Sequence, residues 1–491
     1  ESNAEQGVAT NRLPVASRKC HDNSTINREI GARSQAACGS TLTLAHEEDL
    51  IPMTKYIAIY MASGLCLLSV ANAQEDLSID RMVTKTLVIS AAEKERLSDL
   101  ETRGIMSVEP VALPVGPHLK GNNYHLGWPV GIKVGKSLLC AYHQTLRHHG
   151  GKREDADSSD AVIVRSTDGG ETWSNPIDIR QFGTSEKAMV LNFGNCFGVL
   201  NEKVFLATKY GLYRSEDEGK TWELVPDALT QEQTGHKYAD NFGPRMIVHP
   251  EKGLVIPVGV ERSPYIDMYS SKDEGLTWIH KRVTLSKRIH PLEPTAIYHD
   301  GRLIFLSRNH TIPLKFHRRL KDTQRPAMMV SDAGWFPMKH QELTNISSYR
   351  WPDTTDVDFN PVTKRFEAVV TNRSGGAGKD EKNEQNEQTV NLWSISKDDM
   401  YAGRADQWRL EGTLLRLKSG MLNISADDVD AAHPGGAVID EDEGVQHIFI
   451  YCGRYSTPAG IYRITRTLDT DKLREAMSQQ GAEGDAVNRA P

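Results

Sequence analysis

Cysteine is scarce in this 491-residue chain: six residues, with no CxxC pair and no Cys/His spacing of the zinc-ribbon or zinc-finger kind. A disulfide-stapled scaffold and a cysteine-built metal domain are both excluded. No apolar run reaches the roughly 20 residues of a membrane-spanning helix, so no multi-span membrane protein is encoded. Charge of one sign is also missing in any quantity, since 58 Lys and Arg face 65 Asp and Glu, for a formal charge of −7. Such a chain is not built to coat a nucleic acid, although a local basic pocket can still hold a small anionic group. Gly (39) and Pro (22) are at ordinary levels, which removes fibrous and low-complexity classes. A charged fraction of 25% beside 38% hydrophobic residues leaves a globular protein long enough for about three domains.

The longest apolar stretch is short and specifically framed. In 53–73, MTKYIAIYMASGLCLLSVANA, Met53 and Lys55 precede the run Tyr56 to Val70, which ends at Ala71-Asn72-Ala73. That is the layout of a secretory signal peptide with an A-x-A cleavage site; the alternative is a buried core helix. A signal peptide works at an N-terminus, so residues 1–52 read as an upstream extension or a disordered segment. The expected mature chain starts at Gln74, exported to the periplasm or beyond, and holds three cysteines. Residues 74–107 read as an N-terminal extension, helical over 80–103, and 471–491 as a polar C-terminal tail.

Between them a motif recurs. RSTDGGETW ends at Trp173, RSEDEGKTW at Trp222 and SSKDEGLTW at Trp278, and all three fit S-x-D-x-G-x-T-W. A degenerate copy stands at Ser331-Asp332-Ala333-Gly334-Trp335, and a weaker one runs from Ser396-Lys397-Asp398 to Trp408. As a hairpin turn the motif makes physical sense: Asp bonds turn amides, Gly supplies a positive φ, and Trp packs beneath. It resembles the Asp box of sialidases and related β-propellers, where it is scaffold on the outer rim. Spacings of 49 and 56 residues average 52.5, the length of a four-stranded blade with its loops. Residues 108–470 divided by that period give 6.9, which predicts an all-β, seven-bladed β-propeller, with six blades as the second choice. The strands 446–451 and 460–464 are expected to complete the ring.

Function then falls to the loops at one end of the ring. The sialidase resemblance implies an Arg on the first inner strand; this chain has His125 there, in Tyr124-His125-Leu126-Gly127-Trp128-Pro129. Glu293-Pro294-Thr295 with Ser307-Arg308 resembles the sialidase Glu–Arg element, and Arg454 stands for the third arginine. The segment HLGWPVG…LLCAYHQTLRHHGG, with a histidine pair ahead of the first box, resembles secreted seven-bladed ulvan lyases and a related histidine-dependent rhamnosidase propeller family. That resemblance implies a uronate-containing, often sulfated polysaccharide as partner. It implies neither nucleic acid nor stable membrane insertion, and a monomer is expected.

Eliminating across a uronide needs a neutralised carboxylate, a base for the C5 proton and an acid for the departing oxygen. His and Tyr suit the proton transfers and Arg the carboxylate. The catalytic candidates are therefore His125, His143, Tyr238 and Arg245, with blade packing and surface ion pairs as the alternative roles. Trp128, Asn192, Lys209, Arg308 and His433 are the candidate substrate contacts; a buried inter-blade Trp and an inter-blade ion pair at Arg308 are the competing readings. No cofactor is required, and a structural metal among His290, His310, His433 and Cys452 is the one metal arrangement considered. Two other classes stand beside the lyase: an exo-acting glycoside hydrolase on the same scaffold, and a non-enzymatic carbohydrate-binding propeller.

Overall fold

A computed structural model of the protein describes residues 106–112, 125–145, 159–188, 190–235, 238–260, 263–309, 325–346, 351–373, 388–417, 436–452 and 460–476. The extension, the apolar segment 53–73 and the helix expected over 80–103 lie outside the described residues. Among those described, no helix is long and apolar enough to cross a membrane.

Strand β1 (Met106–Ala112) comes first in the chain but belongs to the last blade. Blade 1 is β2 (His125–Val134), β3 (Ser137–Thr145), β4 (Ser159–Ser166) and β5 (Ile177–Asp178). After β6 (Val190–Phe193), blade 2 is β7 (Cys196–Leu200), β8 (Lys203–Thr208), β9 (Gly211–Ser215) and β10 (Glu223–Leu224). The short helix α1 (Gln231–Thr234) and strand β11 (Tyr238–Phe242) lead into blade 3: β12 (Ile247–His249), β13 (Gly253–Gly259), β14 (Tyr265–Ser271) and β15 (Ile279–Thr284). Blade 4 is β16 (Pro291–His299), β17 (Arg302–Asn309), β18 (Ala327–Val330) and β19 (His340–Leu343). Blade 5 is β20 (Trp351–Asn360), β21 (Arg365–Arg373), β22 (Gln388–Ser396) and, after helix α2 (Lys397–Tyr401), β23 (Arg409–Leu417). Blade 6 is β24 (Val438–Asp440), β25 (Val445–Cys452) and β26 (Gly460–Thr467), with β1 as its outermost strand.

The molecule is thus a six-bladed β-propeller, not the seven-bladed ring expected from the motif spacing. Two features of the sequence inflate that count. The period came from the first three boxes, whereas Trp335 and Trp408 stand 73 positions apart. Val108 opens no blade of its own; it pairs with Ile464 and closes the sixth.

Apolar clusters glue five of the six junctions, as blades need because each has a face only a neighbour can cover. Phe449, Tyr451 and Tyr142 join blades 6 and 1, while Phe197, Leu206 and Leu139 join blades 1 and 2. Phe242, Tyr269 and Leu212 join blades 2 and 3, Phe305 and Met268 blades 3 and 4, and Phe366 and Leu306 blades 4 and 5. Between blades 5 and 6 the described residues offer a buried polar lock instead. Arg466, with no exposed surface, pairs with Glu367 and bonds Gln446 at 2.8 Å, and Asn360 donates to the Leu468 carbonyl at 2.8 Å. Residues 470–476 continue as a helix, and its Arg474 reaches Glu411 on β23.

The Asp boxes fold as the motif predicts. In blade 3, Ser271 Oγ donates to Asp273 at 2.8 Å and accepts from Gly275 N–H at 2.8 Å. Thr277 N–H and hydroxyl donate to the same carboxylate at 2.9 and 2.6 Å, and Trp278 Nε1 donates to the Gly275 carbonyl. Trp222 and Trp278 are buried, and Trp173 is half-buried against Phe449. The box glycine also seats the turn on the preceding blade: a Cβ on Gly219 would stand 2.7 Å from Leu139, and one on Gly275 2.3 Å from Leu212. The two weaker copies are no longer boxes. Asp332 turns to Arg302 and Lys339, while Ser396 caps α2 by accepting from Asp399 N–H at 3.0 Å.

Candidate functional site

The innermost strands of blades 1, 4 and 5 each carry an irregularity near their start, between Gly127 and Val130, Leu292 and Pro294, and Pro352 and Thr355. A bulge re-aims side chains that a regular strand would alternate, and such bulges gather next to functional sites. Two of these bulges hold bulky residues in left-handed backbone: Trp128 at φ 47° and Glu293 at φ 54°. L-residues adopt that region at a cost, which the packed blades around them must sustain. Blades 1 and 4 are three apart in a ring of six, so Trp128 and Glu293 stand on opposite sides of the same channel mouth.

On the blade 1 side, Trp128 lies between the His143 ring at 5.2 Å and the Tyr451 ring of blade 6 at 5.8 Å. His143 is buried opposite Gly127 in the β2–β3 register. On the blade 4 side, Arg308 Nη1 donates to Glu293 Oε2 at 3.3 Å, with both side chains mostly enclosed at 12% and 13% exposed.

Deeper in, Arg245 ties three blades together. Its Nη2 reaches both oxygens of Asp356 at 2.9 Å and the Ala437 carbonyl at 2.8 Å, while Nη1 reaches Asp358 at 2.8 Å. Asp356 also accepts from the Ala437 amide. Burial pushes the Asp356 carboxyl up to about 6, against the pull of Arg245 and with a further push from Asp358. Burial alone would loosen the guanidinium proton, but Asp356 and Asp358 more than reverse this. The neighbouring Cys196 thiol is pushed up by burial, partly offset by the Arg245 charge.

Arg245 was expected to grip a substrate carboxylate; it is occupied instead by two carboxylates of this chain, because its place at the head of β12 faces blades 5 and 6. The structure does bring Trp128 to His143 and Arg308 to Glu293. His125 heads β2 opposite Thr145, two register positions from the Gly127–His143 pair. Tyr238 and Asn192 fall on the neighbouring parallel strands β11 and β6, where Tyr238 pairs with Val190; the side chains of these three lie outside the described residues. Lys209 Nζ sits 5.2 Å above the Tyr210 ring on the rim of blade 2. His433 and Arg454 lie outside the described residues. So do two of the residues weighed for a metal, His310 and His433, together with the Cys452 side chain; His290 rests its ring nitrogen on the Lys287 carbonyl at 3.2 Å. Among the described residues no three His, Cys, Asp or Glu are grouped to hold a metal ion.

Sequence reasoning missed Tyr451, Asp356 and Asp358. Asp356-Val357-Asp358 carries a signal, two acidic residues flanking Val357 within one strand, whereas Tyr451 is one aromatic among many strand residues.

No protein-family model matches the chain, and no curated protein matches it. Among solved structures it is similar to a Dyadobacter fermentans protein of unknown function, at 18% identity and a TM-score of 0.49, over 70% of this chain and 96% of that one. It is also similar to the Trypanosoma rangeli sialidase in complex with sialic acid, at 12% identity and a TM-score of 0.45, over 77% of this chain and 60% of that one. The NanB sialidase from Streptococcus pneumoniae is similar at 10% identity and a TM-score of 0.44, over 72% of this chain and 70% of that one. These are likenesses of fold; the six-bladed assignment rests on the strand pairing.

Proposed function

We propose that this chain is a carbohydrate-active enzyme of the glycoside hydrolase type, working at the mouth of the channel where the inner strands begin. The observation that carries this is the pair of left-handed bulges facing each other across the mouth: an indole on blade 1 and an Arg-held carboxylate on blade 4. An aromatic face offers a sugar ring a stacking platform, and a carboxylate is the group that hydrolysis of a glycosidic bond employs as nucleophile or base. Arg308 orients Glu293, and His143, held against Trp128, is the candidate proton donor to the leaving oxygen. Elimination loses support because Arg245, assigned to neutralise a uronate, is engaged by Asp356 and Asp358.

One observation favours the lyase as a second reading. His143, Trp128 and Tyr451 form a contiguous ring cluster, and His with Tyr is the pairing that β-elimination uses. The test separates the two. The protein is incubated with neutral and uronate-containing glycans while reducing ends and the absorbance of unsaturated uronates are read together. Reducing ends without absorbance support hydrolysis, matched absorbance supports the lyase, and neither signal with any glycan defeats both. In the hydrolytic case Glu293→Gln is expected to lower kcat by about 10²–10⁴-fold.

A further inference from the structure

Asn195 precedes β7 at the mouth end of blade 2. It is 1% exposed, and neither its Nδ2 nor its Oδ1 has a hydrogen-bond partner among the described residues. Buried carboxamides are rarely left this way, because each unmade bond forfeits what water gave in the unfolded chain. Strand alternation says where the group lies. Phe197, two residues on, belongs to the core cluster between blades 1 and 2, and so does Ala141, two residues before His143. Asn195 and His143 therefore come to the same junction, above its apolar cluster and at the end where Trp128 stands. The position is fixed by two bonds: Phe197 N–H donates to the Pro244 carbonyl at 3.2 Å and Met246 N–H to the Phe197 carbonyl at 2.6 Å, which anchors the head of β7 to blade 3.

We propose that Asn195 binds one hydroxyl oxygen between blades 1 and 2 beside His143. A carboxamide presents two N–H donors and a carbonyl acceptor, which suits a group that both donates and accepts. A carboxylate or a phosphate would satisfy only the N–H side. The chemistry is shared by an ordered water, which joins Asn195 to the mouth, and by a hydroxyl of a bound sugar. The sugar source rests on the hydrolase reading above; the water source stands without it.

The test uses the full chain labelled with ¹⁵N at asparagine side chains, with the Asn195 resonance assigned by its loss in Asn195→Leu. In the free protein, magnetisation transfer from a long-lived water to the Nδ2 protons identifies water as the occupant. A resonance that shows no such transfer but shifts when one glycan of the panel is added identifies the sugar hydroxyl. No transfer and no shift with any glycan overturns the proposal. Thermal unfolding gives a check that needs no activity. With water as the occupant, Asn195→Leu is expected to lower Tm by about 2–4 °C, since a held hydroxyl and its bonds are lost. A rise in Tm would mark an amide that is bare in the free protein and would overturn the water source, and the sugar source would then stand or fall on the glycan shift.

Discussion

Blades 1 to 3 each carry an intact Asp box, and blades 4 to 6 carry none, so the two halves of the ring join their blades by different means. In the first half the joint is a repeated device. The turn of each box projects onto the blade before it, where a basic residue meets it. Arg463 of blade 6 reaches the Gly169 carbonyl, Arg165 of blade 1 donates to the Glu218 carbonyl at 2.8 Å, and Lys203 of blade 2 pairs with Glu274 at 2.8 Å. In the second half every joint is individual. His249 reaches the Gly334 carbonyl at 2.7 Å between blades 3 and 4, His299 meets the Tyr401 hydroxyl at 2.6 Å between blades 4 and 5, and the buried Glu367–Arg466 pair holds blades 5 and 6. A repeated joint spreads its contribution over several exposed turns, whereas a single buried joint concentrates it in one place.

That difference is open to attack. The largest effect is expected at the buried lock. Glu367→Ala strands the Arg466 charge without a partner, a loss of about 3–5 kcal/mol that urea unfolding would read. A loss below about 1 kcal/mol would mean that the junction between blades 5 and 6 is held elsewhere. Arg245→Met should cost nearly as much at pH 8, because Asp356 and Asp358 then face each other without their shared cation.

The Arg245→Met penalty should shrink as the medium is acidified from pH 8, since without the guanidinium the Asp356 carboxyl takes up its proton more readily still. Burial raises Asp356 above its unfolded value, so in the wild type its contribution is most favourable below the unfolded value of 3.8 and diminishes as pH rises through about 6. The boxes behave oppositely. Ser166 and Thr172 hold the Asp168 carboxyl well below the usual carboxylate range, so its support is present above about pH 4 and is lost on further acidification. Hydrogen exchange between pH 7 and 3 should therefore show the box turns loosening while the junction around Asp356 does not. Uniform loosening would erase the distinction.

Smaller effects sharpen the comparison within the box half. Gly219→Ala places a methyl 2.7 Å from Leu139 at φ 81°, and about 1–3 kcal/mol of destabilisation is expected. Asp273→Asn keeps the shape of its exposed turn but weakens the bonds from Thr277, for about 1 kcal/mol. Both are measurable by thermal denaturation, and an order reversed between them would show that the turn chemistry matters more than its seating on the next blade.

The same contrast explains what was legible in the sequence. Three copies of one turn announce a propeller, because the Ser, Asp, Gly, Thr and Trp of each copy make the same bonds at the same offsets. Blades 4 to 6 announce nothing comparable. Ser396 and Asp399 read as a decayed box but form a helix cap, and His299 with Tyr401 meets across 102 residues of chain. The blade count failed for that reason, since a period measured in the regular half was extended over the irregular one. The candidate site was legible in part: the HLGWPVG and LLCAYHQ segments singled out Trp128 and His143, and the Glu293–Arg308 pair was visible as an element. The fate of Arg245 was not, because its partners lie more than one hundred positions away and only the closing of the ring brings them near.

The placement of β1 carries a consequence for how the protein is made. Arg463 and Glu109 meet across 354 residues of sequence, so the first strand of the ring to be synthesised is the last to find its place. Until it docks, β26 presents a bare edge of unpaired amides and carbonyls, an open template for any other extended chain. Contacts so distant in sequence form slowly. A newly completed ring is therefore exposed to misassociation from the synthesis of its last strand until its first strand docks, and a short added peptide matching Met106–Ala112 would be the natural competitor for that edge.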